Sequence, residues 1–129
     1  MTKEQVGKIG AYKVDEVLQH FIVAALWTTN DDEDEPLKTN YFYDDIPESE
    51  LDKLRNLIVE FIEQNQKTLK KHNITAEALG HDLFLDSQGS GVGFRDRGYG
   101  NDGATLSKSA SKIFASDQPY IGDDKKIYF

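Results

Sequence analysis

Two segments of the chain carry hydrophobic residues at the spacing of an amphipathic α-helix. In the first, residues 13 to 28, apolar side chains recur three or four positions apart. The second runs from about residue 47 or 49 to 71 and repeats that spacing between Leu51 and Ile62. A stripe of this kind is stable when another element covers it, so the pattern predicts two helices with buried faces. The side chains predicted to be buried, against a sheet, are Val14, Leu18, Phe21, Leu54, Ile58 and Phe61.

Beyond residue 80 the helical spacing gives way to short apolar runs. Residues 81–85 and 92–94 are two such runs, and they flank a glycine-rich stretch at 86–91. Glycine tolerates the positive φ angles that tight hairpin turns require. The pattern therefore predicts a β-hairpin over these residues.

The last part of the chain adds a helix and two more strands. Apolar positions predict a third helix at about 105–115, which follows a glycine-rich loop at 96–103. Residues 119–122 and 126–129 read as two short strands. The predicted order is α-α-β-β-α-β-β. The sequence thus predicts one α+β domain spanning residues 1–129, with an antiparallel three- or four-stranded sheet and about three helices packed on one face.

The net negative charge of the chain arises in one connection between the first two helices. The formal net charge is −8, and residues 31–50 hold nine acidic residues and a single base, Lys38, whereas the remaining residues balance. A solvated loop is the simple interpretation, but so many carboxyl groups also create a negative potential that suits a cationic partner. Calcium is disfavoured because Pro36 stands where an EF-hand loop needs glycine. The residues predicted to form an acidic binding surface are Asp31, Asp32, Glu33, Asp34, Glu35, Asp44 and Asp45.

Four aromatic residues flank this acidic connection. Trp27 lies at the end of the first predicted helix, and Tyr41, Phe42 and Tyr43 precede the second. We interpret them as core and loop anchors rather than as a binding cage, because large aromatic side chains most often serve to bury area.

The residue inventory excludes several kinds of site. The 129 residues include no cysteine, so disulfides, zinc–thiolate sites, iron–sulfur clusters and cysteine nucleophiles are excluded. The histidines lack a metal-ligand spacing, and we expect neither a metal nor a cofactor. No apolar stretch is long enough to span a bilayer, and no basic cluster suits direct binding to nucleic acid. We therefore expect a soluble, intracellular protein.

A second group of polar residues lies at the two ends of the predicted hairpin. His81 and Asp82 stand at its entrance, and Arg95, Asp96 and Arg97 stand at its exit. Because paired strands bring the open ends of a hairpin together, we expect these five side chains to lie near one another. An ion-paired cluster that pins the hairpin is the simple interpretation, and a ligand-binding or catalytic cluster is the alternative. Neighbours on a strand point to opposite faces, so no catalytic residue is assigned.

Several segments together resemble a known family. They are residues 25–28, 44–46, 80–85, 91–98 and 120–128, which include the patterns Gly-His-Asp, Gly-x-Gly-Phe-x-Asp-Arg-Gly and Gly-Asp-Asp-x-x-Ile-Tyr. In these segments, which cover most of the chain, it resembles small proteins encoded by bacteriophages and other mobile elements, a family without an agreed function. The resemblance implies an accessory protein that acts in a bacterial cytoplasm, and it supplies no catalytic residues.

Charge and resemblance together favour an interaction protein over an enzyme. The leading hypothesis is that the chain binds and inhibits a basic bacterial host protein, which is a nucleic-acid-binding or defence protein. In this hypothesis the carboxylates of the chain occupy the sites at which that target binds phosphates. The alternative is a small ligand-binding protein or enzyme that uses the polar cluster of residues 81–97. Loss of activity on neutralising residues 31–50 supports the first hypothesis, and loss in His81→Ala alone supports the second.

Overall fold

Helices dominate the structure, a computed structural model that describes residues 7–31, 33–88, 93–114 and 119–129. Within these residues there are four α-helices: α1 Val14–Thr28, α2 Glu48–Lys71, α3 Ala76–Ser87 and α4 Asn101–Ile113. Two small antiparallel pairs of strands accompany them. The strand β1 Lys8–Ile9 pairs with β2 Tyr12–Lys13, and β3 Tyr120–Ile121 pairs with β4 Ile127–Tyr128.

The first two predicted helices are confirmed, as are the faces that they bury. Acidic residues in the first turn and lysines in the last turn of α2 match the helix dipole. The helix ends just before Asn73, which adopts a left-handed backbone conformation with a φ of 50°. All six side chains predicted to lie in the core are buried.

The predicted α+β fold with a three- or four-stranded sheet is wrong. Each strand is only two residues long, and each of the two sheets has only two strands. The buried faces of α1 and α2 therefore pack against other helices, with the most extensive contact between α1 and α3. The observed order of elements in the described residues is β-β-α-α-α-α-β-β, so the fold is essentially a helical one.

The predicted hairpin is wrong because its first strand is part of α3. The hydroxyl oxygen of Thr75 accepts a hydrogen bond from the N–H of Ala78, which caps the start of this helix. From there Leu79 and Leu83 lie four positions apart on one buried face. A short apolar run fits a buried strand and a buried helix equally well, and here the cap decides for the helix.

The predicted hairpin turn is also replaced by other structure. Residues 86 and 87 form the last turn of α3 and residue 88 follows it, whereas residues 89–92 lie outside the described residues. The second predicted strand is replaced at residues 93 and 94, where a 3₁₀ turn, Phe94–Arg97, begins. Its Phe94 side chain is fully buried, so the turn is anchored to the helical core.

The third predicted helix is confirmed with an earlier start. It was predicted at about 105–115, whereas α4 spans Asn101–Ile113, and residue 115 lies outside the described residues. Gly103, assigned to a loop, lies inside this helix, at a position where a Cβ atom would come within 2.8 Å of the Phe94 carbonyl oxygen. The two C-terminal strands are confirmed at their predicted positions, and the hairpin of β1 and β2 was not predicted.

The close approach of α1 and α3 depends on Gly80. A Cβ atom at this position would collide with the carbonyl oxygen of Val17 and lie 2.8 Å from the backbone nitrogen of Phe21. We expect Gly80→Ala to lower the free energy of unfolding by about 1 to 3 kcal/mol, because backbone atoms must move apart. The higher helix propensity of alanine, about 1 kcal/mol, offsets only part of this cost. Urea denaturation measures the change, and an unchanged or increased stability would contradict it.

Candidate functional site

The acidic loop, which we define as residues 31–45, is shaped by one of its own carboxyl groups. The Oδ1 atom of Asp31 accepts hydrogen bonds from the backbone N–H groups of Glu33, at 2.9 Å, and Glu35, at 3.0 Å. Leu37, which is buried, fixes the loop to the core. The described part of the loop is therefore a folded turn that is anchored to the core.

The remaining carboxyl groups of the acidic loop are exposed or engaged only locally. Asp34 accepts a hydrogen bond from the amide of Asn30 at 3.1 Å, and Asp45 accepts one from the backbone N–H of Phe42 at 2.8 Å. Glu33, Glu35 and Asp44 are exposed. Among the described residues, no lysine or arginine forms an ion pair with any carboxyl group of this loop. Asp32, the remaining predicted residue, lies outside the described residues.

The two other acidic residues of the segment 31–50 are paired at the start of α2. Arg55 Nη1 lies 3.0 Å from the carboxylate of Glu48, and Lys53 Nζ lies 3.1 Å from that of Glu50. Although burial opposes the charge of Arg55, its hydrogen bonds, first of all that to Asp15, raise its pKa. The carboxyl groups of the segment that have no ion-pair partner among the described residues therefore belong to the acidic loop.

Large aromatic side chains are exposed around the acidic loop. Trp27 is 62% exposed, Phe42 is 66% exposed and Tyr120 is 55% exposed. Of the four aromatic residues predicted to be core and loop anchors, Tyr41 and Tyr43 pack against the core, whereas the side chains of Trp27 and Phe42 lie largely on the surface. The ammonium nitrogen of Lys38 stands 4.2 Å from the centre of the Trp27 ring, so this ring already stabilises a cation.

A groove with a volume of about 580 Å³ lies between the acidic loop and the C-terminal hairpin of β3 and β4. Asp31, Glu33 and Tyr41 line it on the side of the loop. Tyr120 and Asp123 line it on the side of the hairpin, and the Tyr120 ring stacks on that of Tyr128 with 5.6 Å between centroids. The groove thus combines carboxyl groups with aromatic faces, although Lys125 also contributes to its rim.

The polar cluster predicted at residues 81–97 is brought together only in part. Asp82 on α3 is fully buried and accepts hydrogen bonds from two nitrogens of Arg97, Nη2 at 2.7 Å and Nε at 3.1 Å. The Nδ1 atom of His81 lies 3.5 Å from an oxygen of Asp82, at the limit of a hydrogen bond. Arg95 and Asp96 are exposed, and their side chains form no hydrogen bond or ion pair with the described residues.

The geometric reason for this cluster differs from the predicted one. The open ends of a hairpin do not form it, since α3 carries His81 and Asp82, and the 3₁₀ turn Phe94–Arg97 carries Arg97. The hydrogen bond to Asp82 raises the pKa of Arg97 against the opposing effect of burial. Burial, together with the charge of Asp82, raises the pKa of the neighbouring Tyr99.

Asp86 is a buried polar residue that the sequence analysis missed. Its Oδ2 atom accepts hydrogen bonds from the backbone N–H of Phe94, at 3.0 Å, and from the Ser107 hydroxyl, at 2.8 Å. Its backbone carbonyl accepts a third bond, from the hydroxyl of Ser111 at 3.0 Å. The sequence signal was available, because Asp82 and Asp86 are four residues apart and so share one face of a helix.

A second missed contact joins the end of α2 to the start of α4. The Nε2 atom of His72 lies 2.9 Å from the carboxylate of Asp102, and Lys71 Nζ lies 3.0 Å from the same oxygen. These hydrogen bonds, first that of His72, lower the pKa of Asp102. The ring of His72 also packs on that of Tyr99, with 4.8 Å between centroids. The contact therefore holds the glycine-rich segment around Tyr99 against α2.

Comparison with known proteins does not indicate a function for this chain. No family model, no curated protein and no solved structure matches this chain. In the part of the chain that the structure describes, no helix is both long enough and apolar enough to cross a membrane. Within that same part, no three histidine, aspartate or glutamate side chains come together as a metal site. The acidic loop and the Asp82–Arg97 pair are thus the features from which a function can be inferred.

Proposed function

We propose that this chain is an interaction protein that binds a basic bacterial host protein through its acidic loop. The partner is a nucleic-acid-binding protein or a defence protein of the host, and the carboxylates of the loop occupy the place of phosphates. Binding of this kind inhibits the partner by competition. The observation that carries the proposal is that the loop's carboxyl groups form no ion pair within the described residues.

The contrast between the loop and α2 supports this proposal. At the start of α2, Glu48 and Glu50 each have a basic partner. Glu33, Glu35 and Asp44 project into solvent without one, so their mutual repulsion is relieved only by salt or by a cationic surface. Concentrated charge of one sign on a folded loop is suited to steering an oppositely charged protein.

The exposed aromatic side chains favour arginine over lysine on the partner. A guanidinium group stacks on aromatic faces and forms paired hydrogen bonds with a carboxylate, and such groups also bind phosphates in nucleic-acid-binding proteins. Tyr120 and the carboxyl groups of Asp31 and Glu33 line one groove, which offers both kinds of contact. The resemblance to bacteriophage proteins supports a bacterial host as the source of the partner.

The test is a charge-neutralising variant that leaves the loop's hydrogen bonds intact. We expect the triple substitution Glu33→Gln, Glu35→Gln and Asp44→Asn to slow association with a partner by on the order of tenfold, because steering acts on the encounter. The partner is captured from a bacterial lysate by immobilised wild-type protein and identified by mass spectrometry. Association and dissociation rates are then measured with the purified partner at about 0.1 M and about 1 M salt, where the Debye length falls from about 10 Å to about 3 Å.

A matched triple variant provides the control. Glu16→Gln, Glu60→Gln and Glu63→Gln removes the same number of charges from exposed helical positions outside the loop, and we expect it to bind like the wild type. Equal losses in both triple variants would show that only net charge matters. A partner whose affinity is the same at both salt concentrations, or is unchanged by the loop substitutions, would refute the proposal.

A further inference from the structure

A cleft of about 640 Å³ lies between α1 and α3, on a different surface from the acidic loop. Its walls include His20 and Val23 of α1 and Ala78 and His81 of α3, and the Asp82–Arg97 pair also lines it. Small-molecule sites commonly have this size and this mixture of apolar walls with a few polar groups. The alternative hypothesis from the sequence was a ligand site at the ends of a hairpin over residues 81–97. The cleft instead places such a site between two helices.

Arg97 is fixed in orientation but only partly used. A guanidinium group has five N–H donors, and Asp82 occupies one on Nε and one on Nη2. Among the described residues, the other N–H groups of Arg97 have no hydrogen-bond partner, and its side chain is 41% exposed. Because the buried Asp82 holds the group in place, a ligand that binds the remaining donors need not order this side chain.

Two further features of the cleft suit a negatively charged group. The imidazoles of His20 and His81 supply hydrogen-bonding nitrogens from opposite walls. The first turn of α3, which follows the N-cap residue Thr75, contributes the partial positive charge of a helix N-terminus. Asp82 is neutralised by Arg97, and Glu77 is the one uncompensated carboxyl group among the residues that line the cleft.

We propose that the α1–α3 cleft is a binding site for a small organic carboxylate with an apolar body. The carboxylate accepts hydrogen bonds from the free N–H groups of Arg97 and from His81, and the apolar body packs on Val23 and Ala78. This site is independent of the interaction proposed for the acidic loop. Its occupant is a compact molecule, because the cleft has a volume of only about 640 Å³.

The experiment compares two probes of the same shape and opposite charge. Benzoate and benzamidine, each at millimolar concentration, are titrated into the full chain, labelled for NMR at backbone amides and histidine side chains. We expect benzoate to shift the signals of Ala78, His20 and His81 in a saturable manner, and benzamidine to leave them unchanged. Equal or stronger binding of benzamidine, or no response to benzoate, would overturn the proposal. A response to inorganic phosphate without one to benzoate would also overturn it, since the apolar body then plays no part.

Two substitutions with opposite expected effects separate binding at the cleft from a general response to anions. Glu77→Gln removes a like charge and is expected to tighten benzoate binding about two- to fivefold, the effect of an exposed charge pair. His81→Ala removes one hydrogen-bonding group and is expected to weaken it roughly three- to tenfold. Both residues lie at the surface of α3, so we expect both variants to fold. The backbone amide spectrum of each variant shows whether the fold is retained. The loop variant Glu33→Gln, Glu35→Gln, Asp44→Asn should bind benzoate like the wild type, and a change there would place the anion elsewhere.

Discussion

We expect Phe61→Ala to lower the free energy of unfolding by about 3 to 5 kcal/mol. Phe61 is fully buried, and its ring stacks on that of Phe94 with 5.7 Å between centroids and 11° between planes. Its removal both loses apolar burial and leaves a cavity where α2 meets the 3₁₀ turn Phe94–Arg97. Because domains of this size are stable by about 5 to 15 kcal/mol, the loss is a large share of the total. Urea denaturation monitored by circular dichroism measures this loss in the free energy of unfolding.

An exposed phenylalanine provides the control for this substitution. Phe42 lies on the acidic loop with 66% of its surface exposed, and Phe42→Ala should change the free energy of unfolding by no more than about 0.5 kcal/mol. The slope of the denaturation curve should stay the same in both variants, since a change in slope indicates a change in the unfolded or native ensemble. A loss below about 1 kcal/mol in Phe61→Ala would contradict the central position of this ring.

The long helices could be predicted because their signals are redundant. In α2 the apolar period, the proline before its first turn and the lysines in its last turn all agree, and the helix ends within two residues of Asn73. Tertiary packing therefore agrees with the local signals in this helix. The same redundancy explains why every side chain predicted to be buried in α1 and α2 is buried.

The region of α3 could not be predicted because its local signals conflict. Gly80 stands inside the helix, where its missing side chain permits contact with α1, whereas glycine in a sequence normally indicates a break. The glycines at 89, 91 and 93 follow soon after, which favours a hairpin turn. Gly93 instead lies against the carboxyl group of Asp86, which comes into place only when α3 and α4 pack. Packing of this kind is a long-range property that a local pattern does not encode.

The candidate sites show a similar division between local and long-range information. The acidic loop is a local charge pattern, and its location on the surface could be read directly from the residues. The pairing of Asp82 with Arg97 was expected for a geometric reason that is wrong, and the α1–α3 cleft had no signal because His20 and His81 belong to different helices. Proximity between residues far apart in sequence therefore needed the structure.

Asp86→Ala is expected to destabilise the protein by about 3 kcal/mol or more, because it strands two buried donors. The N–H of Phe94 and the hydroxyl of Ser107 both bond to Asp86 Oδ2, and each buried donor left without a partner costs about 1 to 3 kcal/mol. These bonds join three elements, namely α3, α4 and the 3₁₀ turn Phe94–Arg97 that carries Arg97. The substitution should therefore loosen the packing of that turn as well as lower the global stability.

Asp86→Asn separates the loss of these hydrogen bonds from other effects of the change. Both donors meet the same oxygen, so an asparagine that places its carbonyl oxygen there keeps both bonds and nearly the same shape. We expect it to cost about 1 kcal/mol, because hydrogen bonds to a neutral amide oxygen contribute less than hydrogen bonds to a charged carboxylate. Urea denaturation gives the two stabilities, and hydrogen exchange at the Phe94 amide reports local opening of the turn. Equal losses in the two variants, with the Phe94 amide protected in both, would show that Asp86 Oδ2 does not hold the turn against α4.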